Sequence, residues 1–233
     1  MKQFKKACED CEIKSICIFG NLPAEQLQTV NSVKTTQSYK RGEIVFYEGN
    51  PAHSFFCIFD GRIKLYKFSS DRKRQVVRLV EPGDIMGFRA IISEEPYTVT
   101  AETVTKATVC ILPKEVLFNL MESSPDFSKR IIAKLAIDLR QSEEKILSFA
   151  LDAVKKRCAS FLIKLIDPDN EVKKGELIDT VPLMRIEIAQ IIGISPETLS
   201  RTLKTFADEK LIEISRKEIR ISDLKRLQLI ARQ

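Results

Sequence analysis

The spacing of hydrophobic residues divides the chain into a first part with the period of strands and a later part with the period of helices. Between residues 33 and 112, short β-branched and aromatic segments alternate with glycine-containing turns. The segments that predict strands are 43–47, 54–59, 62–67, 75–80 and 107–112. Because they are short and closely spaced, they indicate an antiparallel β-roll of the jelly-roll type. Asp60-Gly61, which separates two of them, predicts a hairpin turn.

From Pro125 the hydrophobic period becomes helical and stays so to about residue 151. Ser124 followed by Pro125 is typical of a helix start. The helix carries a heptad-like seam with one polar member, formed by Ile132, Leu135, Leu139, Ser142, Ile146 and Phe149. A seam of this length predicts a parallel two-stranded dimer, and packing of the helix on its own β-roll is the alternative. In the dimer, Ser142 would lower the stability and help to fix the register.

Residues 184–206 have the pattern of two helices joined by a tight turn. Gly193 stands at the predicted end of the first helix, and Ser195 and Pro196 have the chemistry that begins the second. The pattern predicts a helix-turn-helix whose second helix enters the major groove of DNA, and an ordinary pair of helices with a solvated face is the alternative. Residues 211–221 then predict a hairpin with a charged turn, so the domain is a winged helix.

The second helix of this motif exposes residue types that read DNA bases. Glu197, Ser200 and Arg201 lie on one face near its start, and such side chains hydrogen-bond base edges in the major groove. Thr198 and Lys204 are better placed for phosphates.

Three of the six cysteines lie close together at the N-terminus, where Cys8, Cys11 and Cys17 have a C-x2-C-x5-C spacing. A hydrophobic core does not need three cysteines so close together, whereas a soft metal centre needs closely spaced thiolates as ligands. Three thiolates leave a four-ligand centre one ligand short, so a fourth must come from elsewhere. Cys158 falls on the apolar face of a predicted helix at 153–165 and is expected to be core.

Composition limits the remaining possibilities. The chain has 233 residues, with 44% hydrophobic and 30% charged, and it has no apolar run long enough to span a membrane and no secretory signal pattern. We therefore expect a cytoplasmic protein whose clustered thiols serve metal or redox chemistry. The net charge of +6 permits nucleic-acid binding without proving it. The chain has no Gly-rich phosphate loop and a single histidine, His53, so we do not expect an enzyme.

These patterns predict an α+β chain of four parts. A cysteine-rich segment (1–20) precedes a β-roll sensor domain (21–124), a dimerisation helix (125–151) and a winged helix-turn-helix domain (152–233). This combination resembles the CRP/FNR family of bacterial transcription regulators. The N-terminal cysteine spacing is similar to that of the family's oxygen-responsive iron–sulfur members, whose fourth ligand lies late in the β-roll in a context similar to that of Cys110.

The resemblance implies a [4Fe–4S] cluster on Cys8, Cys11, Cys17 and Cys110. The E-x-x-S-R pattern from Glu197 to Arg201 is similar to the one that reads a TTGAT half-site in an inverted repeat. The family resemblance further implies a homodimer that senses oxygen or nitric oxide, with double-stranded DNA and RNA polymerase as partners.

Several alternatives stay open beside this resemblance. The same four thiols could hold structural zinc, or the cysteines could sense redox state by forming disulfides. Cys57, in an apolar strand, is expected to be core but is the rival for the fourth ligand. Cyclic-nucleotide control is not expected, because no arginine stands where the family's phosphate clamp should be, and the nearby Glu94 and Glu95 would repel a phosphate. Thr202 stands where the DNA-binding motif is usually apolar.

Overall fold

The computed structural model describes residues 7–166, 177–180, 182–215 and 218–232. The chain divides into two compact units, residues 1–139 and 140–233. None of the helices within the described ranges is both long and apolar enough to cross a membrane.

The first unit is built on two antiparallel sheets. Its strands are β1 (Thr35–Tyr39), β2 (Ile44–Phe46), β3 (Ser54–Asp60), β4 (Ile63–Phe68), β5 (Arg74–Val80), β6 (Ile85–Met86), β7 (Thr100–Thr103) and β8 (Ala107–Pro113). One sheet has the order β1-β8-β3-β6 and the other β2-β7-β4-β5. Apolar residues of both sheets, among them Ile58 and Ile63, form one core between them. The β-roll predicted from the sequence is confirmed.

Helices cover the other face of the β1-β8-β3-β6 sheet. They are α1 (Ala24–Val33), α2 (Phe88–Ile92), α3 (Lys114–Ser123) and the first part of α4 (Pro125–Leu151). A second core lies here and includes Phe19, Phe55 and Phe127, with Cys8, Cys17 and Cys110 packed at its edge. The described part of the cysteine-rich segment, residues 7–20, is therefore packed within this unit.

The prediction that Asp60-Gly61 forms a hairpin is wrong. β3 pairs with β6 and β8, whereas β4 pairs with β5 and β7, so this turn carries the chain from one sheet to the other. Gly61 has a φ of 83°, and an added Cβ would clash with the carbonyl oxygen of Lys106. The turn therefore needs glycine for a close approach to another segment as well as for its backbone conformation.

The second unit contains the remaining helices and a small sheet. Its elements are α5 (Val154–Lys164), β9 (Ile178–Asp179), α6 (Arg185–Ile192), α7 (Pro196–Asp208), β10 (Ile212–Ile214), β11 (Ile219–Ile221) and α8 (Leu224–Arg232). The sheet order is β10-β11-β9, and β10 and β11 form the predicted wing hairpin. The charged turn predicted at Arg216-Lys217 lies outside the described residues. Cys158 is fully buried, as its core prediction required.

Candidate cysteine site and DNA-binding helices

Five cysteines line one pocket of the first unit. The empty volume of this pocket is about 430 Å³, part of it open to solvent. Its sulfur lining comes from Cys8, Cys11, Cys17, Cys57 and Cys110, and its other walls from Ile13, Phe19, Lys34, Thr36 and Phe59. The four predicted ligands therefore share a single pocket with their rival, Cys57. Among the described residues, no group of three or more His, Cys, Asp or Glu side chains has an arrangement that could hold a metal ion.

A series of backbone turns shapes the segment that carries the first three cysteines. The amide of Cys17 donates to the carbonyl of Ile13 over 2.9 Å, and that of Gly20 donates to the carbonyl of Cys17 over 2.9 Å. An added Cβ at Gly20 would clash with the carbonyl of Lys14, so the turn requires glycine there. The segment is fixed to α1 because the amide of Cys8 donates to Oδ1 of Asn31 over 2.9 Å.

The other two cysteines of the pocket come from neighbouring strands. Cys57 of β3 and Cys110 of β8 are direct partners in the antiparallel register. The Sγ atoms of Cys17 and Cys57 lie 3.5 Å apart. Oγ1 of Thr36, the partner of Cys110 on β1, lies 4.0 Å from the Sγ of Cys110.

A single lysine contributes positive charge to this pocket. Nζ of Lys34 lies 3.1 Å from the Sγ of Cys8 and 3.2 Å from Oδ1 of Asn31. Sequence reasoning missed both residues, because no pattern in the chain relates them to the cysteines. A soft donor set with a nearby cation suits an anionic centre held by thiolates.

The thiols of the pocket differ in how easily they ionise. The hydrogen bond between Cys17 and Cys57 lowers the pKa of Cys17 to about 7, and the same bond, together with burial, raises the pKa of Cys57. Burial raises the pKa of Cys110 to about 11. Burial also raises the pKa of Cys8, although Lys34 acts in the opposite direction.

The cysteine-rich segment contacts the first part of α4 directly. Nη1 of Arg130 donates to the carbonyl oxygen of Ile18 over 3.0 Å. The rings of Phe19 and Phe127 stack, with centroids 5.9 Å apart and an interplanar angle of 13°. Ile18 and Phe19 follow Cys17 immediately, so these contacts with α4 lie directly beside a cysteine of the pocket.

An ion-pair network around the buried Asp138 joins α4 to the strand region; the other members are partly exposed. Nη1 of Arg78 lies 2.6 Å from Oδ2 of Asp138, which is 6% exposed. Nζ of Lys134 lies 2.6 Å from Oδ1 of Asp84 and 3.3 Å from Oδ1 of Asp138. The turn that contains Asp84 also contacts the cysteine-rich segment, because the side chain of Ile16 lies against Gly83.

The seam of α4 is largely exposed on this chain. Ile132 and Leu139 are each 62% exposed, Ile146 is 68% exposed and Phe149 is 40% exposed. Leu135 is half-buried and Ser142 is exposed. Exposed large apolar residues that follow a heptad spacing are typical of an interface with another helix.

The helix-turn-helix has the local chemistry that its sequence predicted. Gly193 ends α6 with a φ of 69°, and Oγ of Ser195 accepts the amide of Thr198 over 3.2 Å at the start of α7. Glu197, Ser200, Arg201 and Lys204 are exposed on α7.

Two threonines of α7 have roles inside the helix. Thr198 is half-buried, and its hydroxyl lies 3.1 Å from that of Ser195 and 3.4 Å from Nη2 of Arg201. Thr202 is buried, and its hydroxyl donates to the carbonyl of Thr198 over 2.9 Å. This bond to the preceding turn satisfies the polar group, so threonine fits where the motif is usually apolar.

The last seam residue contacts the turn of the helix-turn-helix. Ring carbons of Phe149 lie 3.0–3.1 Å from the position that a Cβ would take at Gly193. The guanidinium of Arg157 lies 5.7 Å from the centre of this ring and donates to the carbonyl of Ile192 over 3.0 Å. Both ends of this contact belong to the second unit.

A β-roll, a long helix and a winged helix-turn-helix in one chain define a DNA-binding transcription regulator. Residues 36–124 match the cyclic nucleotide-binding domain model, and residues 156–230 match the Crp-like helix-turn-helix domain. The chain belongs to the CRP/FNR family of transcription regulators. It is a transcription regulator and not an enzyme, as the sequence predicted.

Relatives of this chain include regulators of different kinds. An anaerobic regulatory protein of Haemophilus influenzae is 27% identical over 93% of this chain and 84% of its own length. A CRP-like cAMP-activated global transcriptional regulator of Mycobacterium tuberculosis is 29% identical over 89% of this chain and 90% of its own. The structure of FixK2 from Bradyrhizobium japonicum has the same fold, with a TM-score of 0.70 at 23% identity over 85% of this chain and 97% of that one.

Proposed function

We propose that this regulator is a homodimer that responds to oxygen through a [4Fe–4S] cluster on Cys8, Cys11, Cys17 and Cys110. The observation that carries the proposal is the shared pocket, which brings a late β-roll cysteine to the three N-terminal ones. The relative named an anaerobic regulatory protein supports a response to oxygen supply.

The donor set of the pocket supports an iron–sulfur centre. Four thiolates are the usual ligands of such a cluster, and a bound cluster would supply oxygen-labile bonds between the N-terminal segment and the β-roll. Lys34 stabilises negative charge at this position, because its ammonium lies 3.1 Å from the sulfur of Cys8. Apolar walls from Ile13, Phe19 and Phe59 limit the access of water.

The chain itself provides the connection from this pocket to the dimer seam. Arg130 and Phe127 of α4 hold Ile18 and Phe19, so the position of the cysteine-rich segment affects the packing of α4. When the segment is released, α4 loses these contacts and the seam loses its support. A difference of a few kcal/mol in dimer stability is enough for such a change in population.

The dimer presents two copies of α7 to DNA. We infer that Glu197, Ser200 and Arg201 read base edges of a TTGAT half-site and that Lys204 and Thr198 contact phosphates. Two recognition helices about one helical turn, ~34 Å, apart fit an inverted repeat. RNA polymerase is the proposed downstream partner. We do not propose cyclic-nucleotide control, because the expected phosphate-binding arginine is missing and the nearby Glu94 and Glu95, both exposed, would repel a phosphate.

Anaerobic purification followed by iron and sulfide analysis tests the cluster. The expected protein is brown, contains iron and sulfide, binds a TTGAT inverted repeat in fluorescence anisotropy, and loses both colour and binding in air. Cys110→Ser should lose the iron, whereas Cys158→Ser should keep it, because Cys158 is buried in the core of the second unit. A colourless anaerobic protein without iron would contradict the proposal, and zinc without sulfide would assign a structural metal site instead.

A further inference from the structure

Cys57 provides a fifth thiol to the pocket that the proposed ligand set does not use. Its Sγ lies 3.5 Å from the Sγ of Cys17, although the two residues are forty positions apart in the chain. Cys57 is 2% exposed, and β3 holds it between Cys110 of β8 and Ile85 of β6. Cys17 is half-buried and lies on the turns of the N-terminal segment.

We propose that the metal-free protein forms a disulfide between Cys17 and Cys57 when hydrogen peroxide oxidises it. A disulfide bond is about 2.05 Å long, so the two sulfurs must approach each other by about 1.5 Å. The turns around Cys17 can supply this shift, because they are not part of a sheet. Cys57, paired on both sides, stays in place.

The different exposure of the two thiols assigns their roles in the reaction. Peroxide reaches the half-buried Cys17, whose sulfur attacks one peroxide oxygen, breaks the O–O bond and becomes a sulfenic acid as the first water leaves. The sulfur of Cys57 then attacks the sulfur of Cys17, and the sulfenic oxygen leaves as a second water. In total the two thiols lose two electrons and two protons, and hydrogen peroxide takes up both the electrons and the protons to become two waters.

The disulfide has a consequence for cluster assembly, and this consequence alone rests on the proposed function. A Cys17 that is bonded to Cys57 is not available as an iron ligand, so the oxidised protein must be reduced before a cluster can be inserted. The β-roll thereby makes cluster assembly depend on a reducing environment, separately from the oxygen sensitivity of the cluster itself.

Trypsin separates the cysteines in a way that makes the test direct. Cleavage after Lys14, Lys34, Arg41 and Arg62 leaves Cys17 alone in peptide 15–34 and Cys57 alone in peptide 42–62. Cys110 is alone in peptide 107–114 and Cys158 in peptide 158–164, whereas Cys8 and Cys11 share peptide 7–14. A Cys17–Cys57 bond joins peptides 15–34 and 42–62, which no other pairing joins, so its cross-linked mass identifies it. Only the pairings of Cys8 and of Cys11 with the same third cysteine share a mass.

The experiment treats full-length, chelator-stripped protein with equimolar hydrogen peroxide, alkylates the remaining thiols and maps peptides without reduction. We expect peptides 15–34 and 42–62 to be joined, with the mass of both less two hydrogens, and to separate after dithiothreitol. A cross-link of Cys17 to Cys110, a Cys8–Cys11 bond as the main product, or an alkylated Cys57 beside an oxidised Cys17 would overturn the proposal.

Two variants and one further measurement complete the test. Cys57→Ala should remove the cross-linked species, and Cys158→Ala should retain it. If Cys57→Ala does not fold, the wild-type peptide map alone decides the pairing. Anaerobic reconstitution of the oxidised wild type should give iron uptake only after reduction. Failure of iron uptake in every form would contradict the cluster proposal and leave the disulfide assignment intact.

Discussion

The guanidinium of Arg130 donates a hydrogen bond of 3.0 Å to the carbonyl oxygen of Ile18, the residue that follows Cys17. This bond joins the cysteine-rich segment to the helix that carries the seam. Together with the stacked rings of Phe19 and Phe127, it gives the proposed sensor a short physical route to the proposed dimer interface.

Arg130→Met should weaken the anaerobic dimer without removing its iron. Methionine keeps the apolar stem of the side chain but loses the donor to Ile18. A hydrogen bond from a charged group contributes about 1.5–3 kcal/mol, so we expect the dimer dissociation constant to rise about tenfold or more. Analytical ultracentrifugation under anaerobic conditions measures it.

Lys129→Met is the matched control for that variant. Lys129 is the neighbouring cation on α4, and its ion pair with Asp126 is exposed at both side chains, 78% and 81%. Exposed pairs contribute little, so the dimer should be unaffected. An equal effect of both substitutions would indicate that net charge on α4, and not the contact with Ile18, controls the dimer.

Asp138→Asn should destabilise the β-roll unit at neutral pH. Burial opposes the charged form of Asp138, but the hydrogen bond and charge of Arg78 and the charge of Lys134 outweigh it, so the pKa of Asp138 lies below its usual value. The substitution removes the buried carboxylate that Arg78 and Lys134 share and leaves them only Asp84. We expect a decrease of about 2–3 kcal/mol in the free energy of unfolding.

The pH dependence of that effect has a defined sign. A lowered folded-state pKa means that the ion pair stabilises the protein above the unfolded-state pKa of about 3.9. This stabilisation is lost as the pH falls through the folded-state pKa, so variant and wild type should converge only below that pKa, which itself lies under about 3.9. All four tyrosines lie between residues 39 and 97 and the chain has no tryptophan, so tyrosine fluorescence in urea reports this unit alone. Glu143→Gln, an exposed carboxylate on the same helix, should show no such difference.

Arg201→Ala and Lys204→Ala should weaken DNA binding in different ways. A bidentate contact to a base contributes about 1–3 kcal/mol of discrimination, so Arg201→Ala should reduce the preference for TTGAT over a scrambled site. Lys204→Ala should weaken binding to both sites. It should also reduce the steepness of the slope of log K against the logarithm of salt concentration by about one. Anisotropy titrations at several salt concentrations separate these outcomes. An unchanged preference in Arg201→Ala would contradict its assignment as a base-reading residue.

Ser142→Leu should stabilise the proposed dimer and make it less dependent on oxygen. A polar residue in a heptad seam lowers dimer stability, and leucine would add apolar contact at this position. We expect aerobic protein to retain dimer and DNA binding. Gln141→Leu adds the same side chain one position away from the seam and should not do so. A monomeric aerobic Ser142→Leu would place this part of α4 outside the interface.

The sequence predicted best what depends on neighbouring residues. The end of α6 at Gly193 and the start of α7 at Ser195 follow from local backbone and capping chemistry, so spacing along the chain was sufficient. Asp60-Gly61 was recognised correctly as a turn but not as a crossing between sheets, because turn chemistry does not specify which strands pair.

The pocket could be predicted only in part, for the same reason. The spacing of the three N-terminal cysteines predicted a ligand set, whereas Cys110 was predicted as a ligand only from the family resemblance. The contact of Cys57 with Cys17 depends on strand register. The contact of Lys34 with Cys8 depends on where α1 ends. No local sequence pattern predicts either contact. Thr198 was expected at a phosphate, and the structure shows that its hydroxyl also takes part in the start of α7.

The contact between Phe149 and Gly193 gives this regulator a second place where its output can be adjusted. One aromatic ring is both the final seam position and the neighbour of the turn that orients α7. Substitutions there should therefore change how strongly the protein acts on DNA at a given signal while leaving the sensing chemistry untouched. Substitution at this ring would adapt such a regulator to new promoters, independently of the thiols that we propose as its sensor.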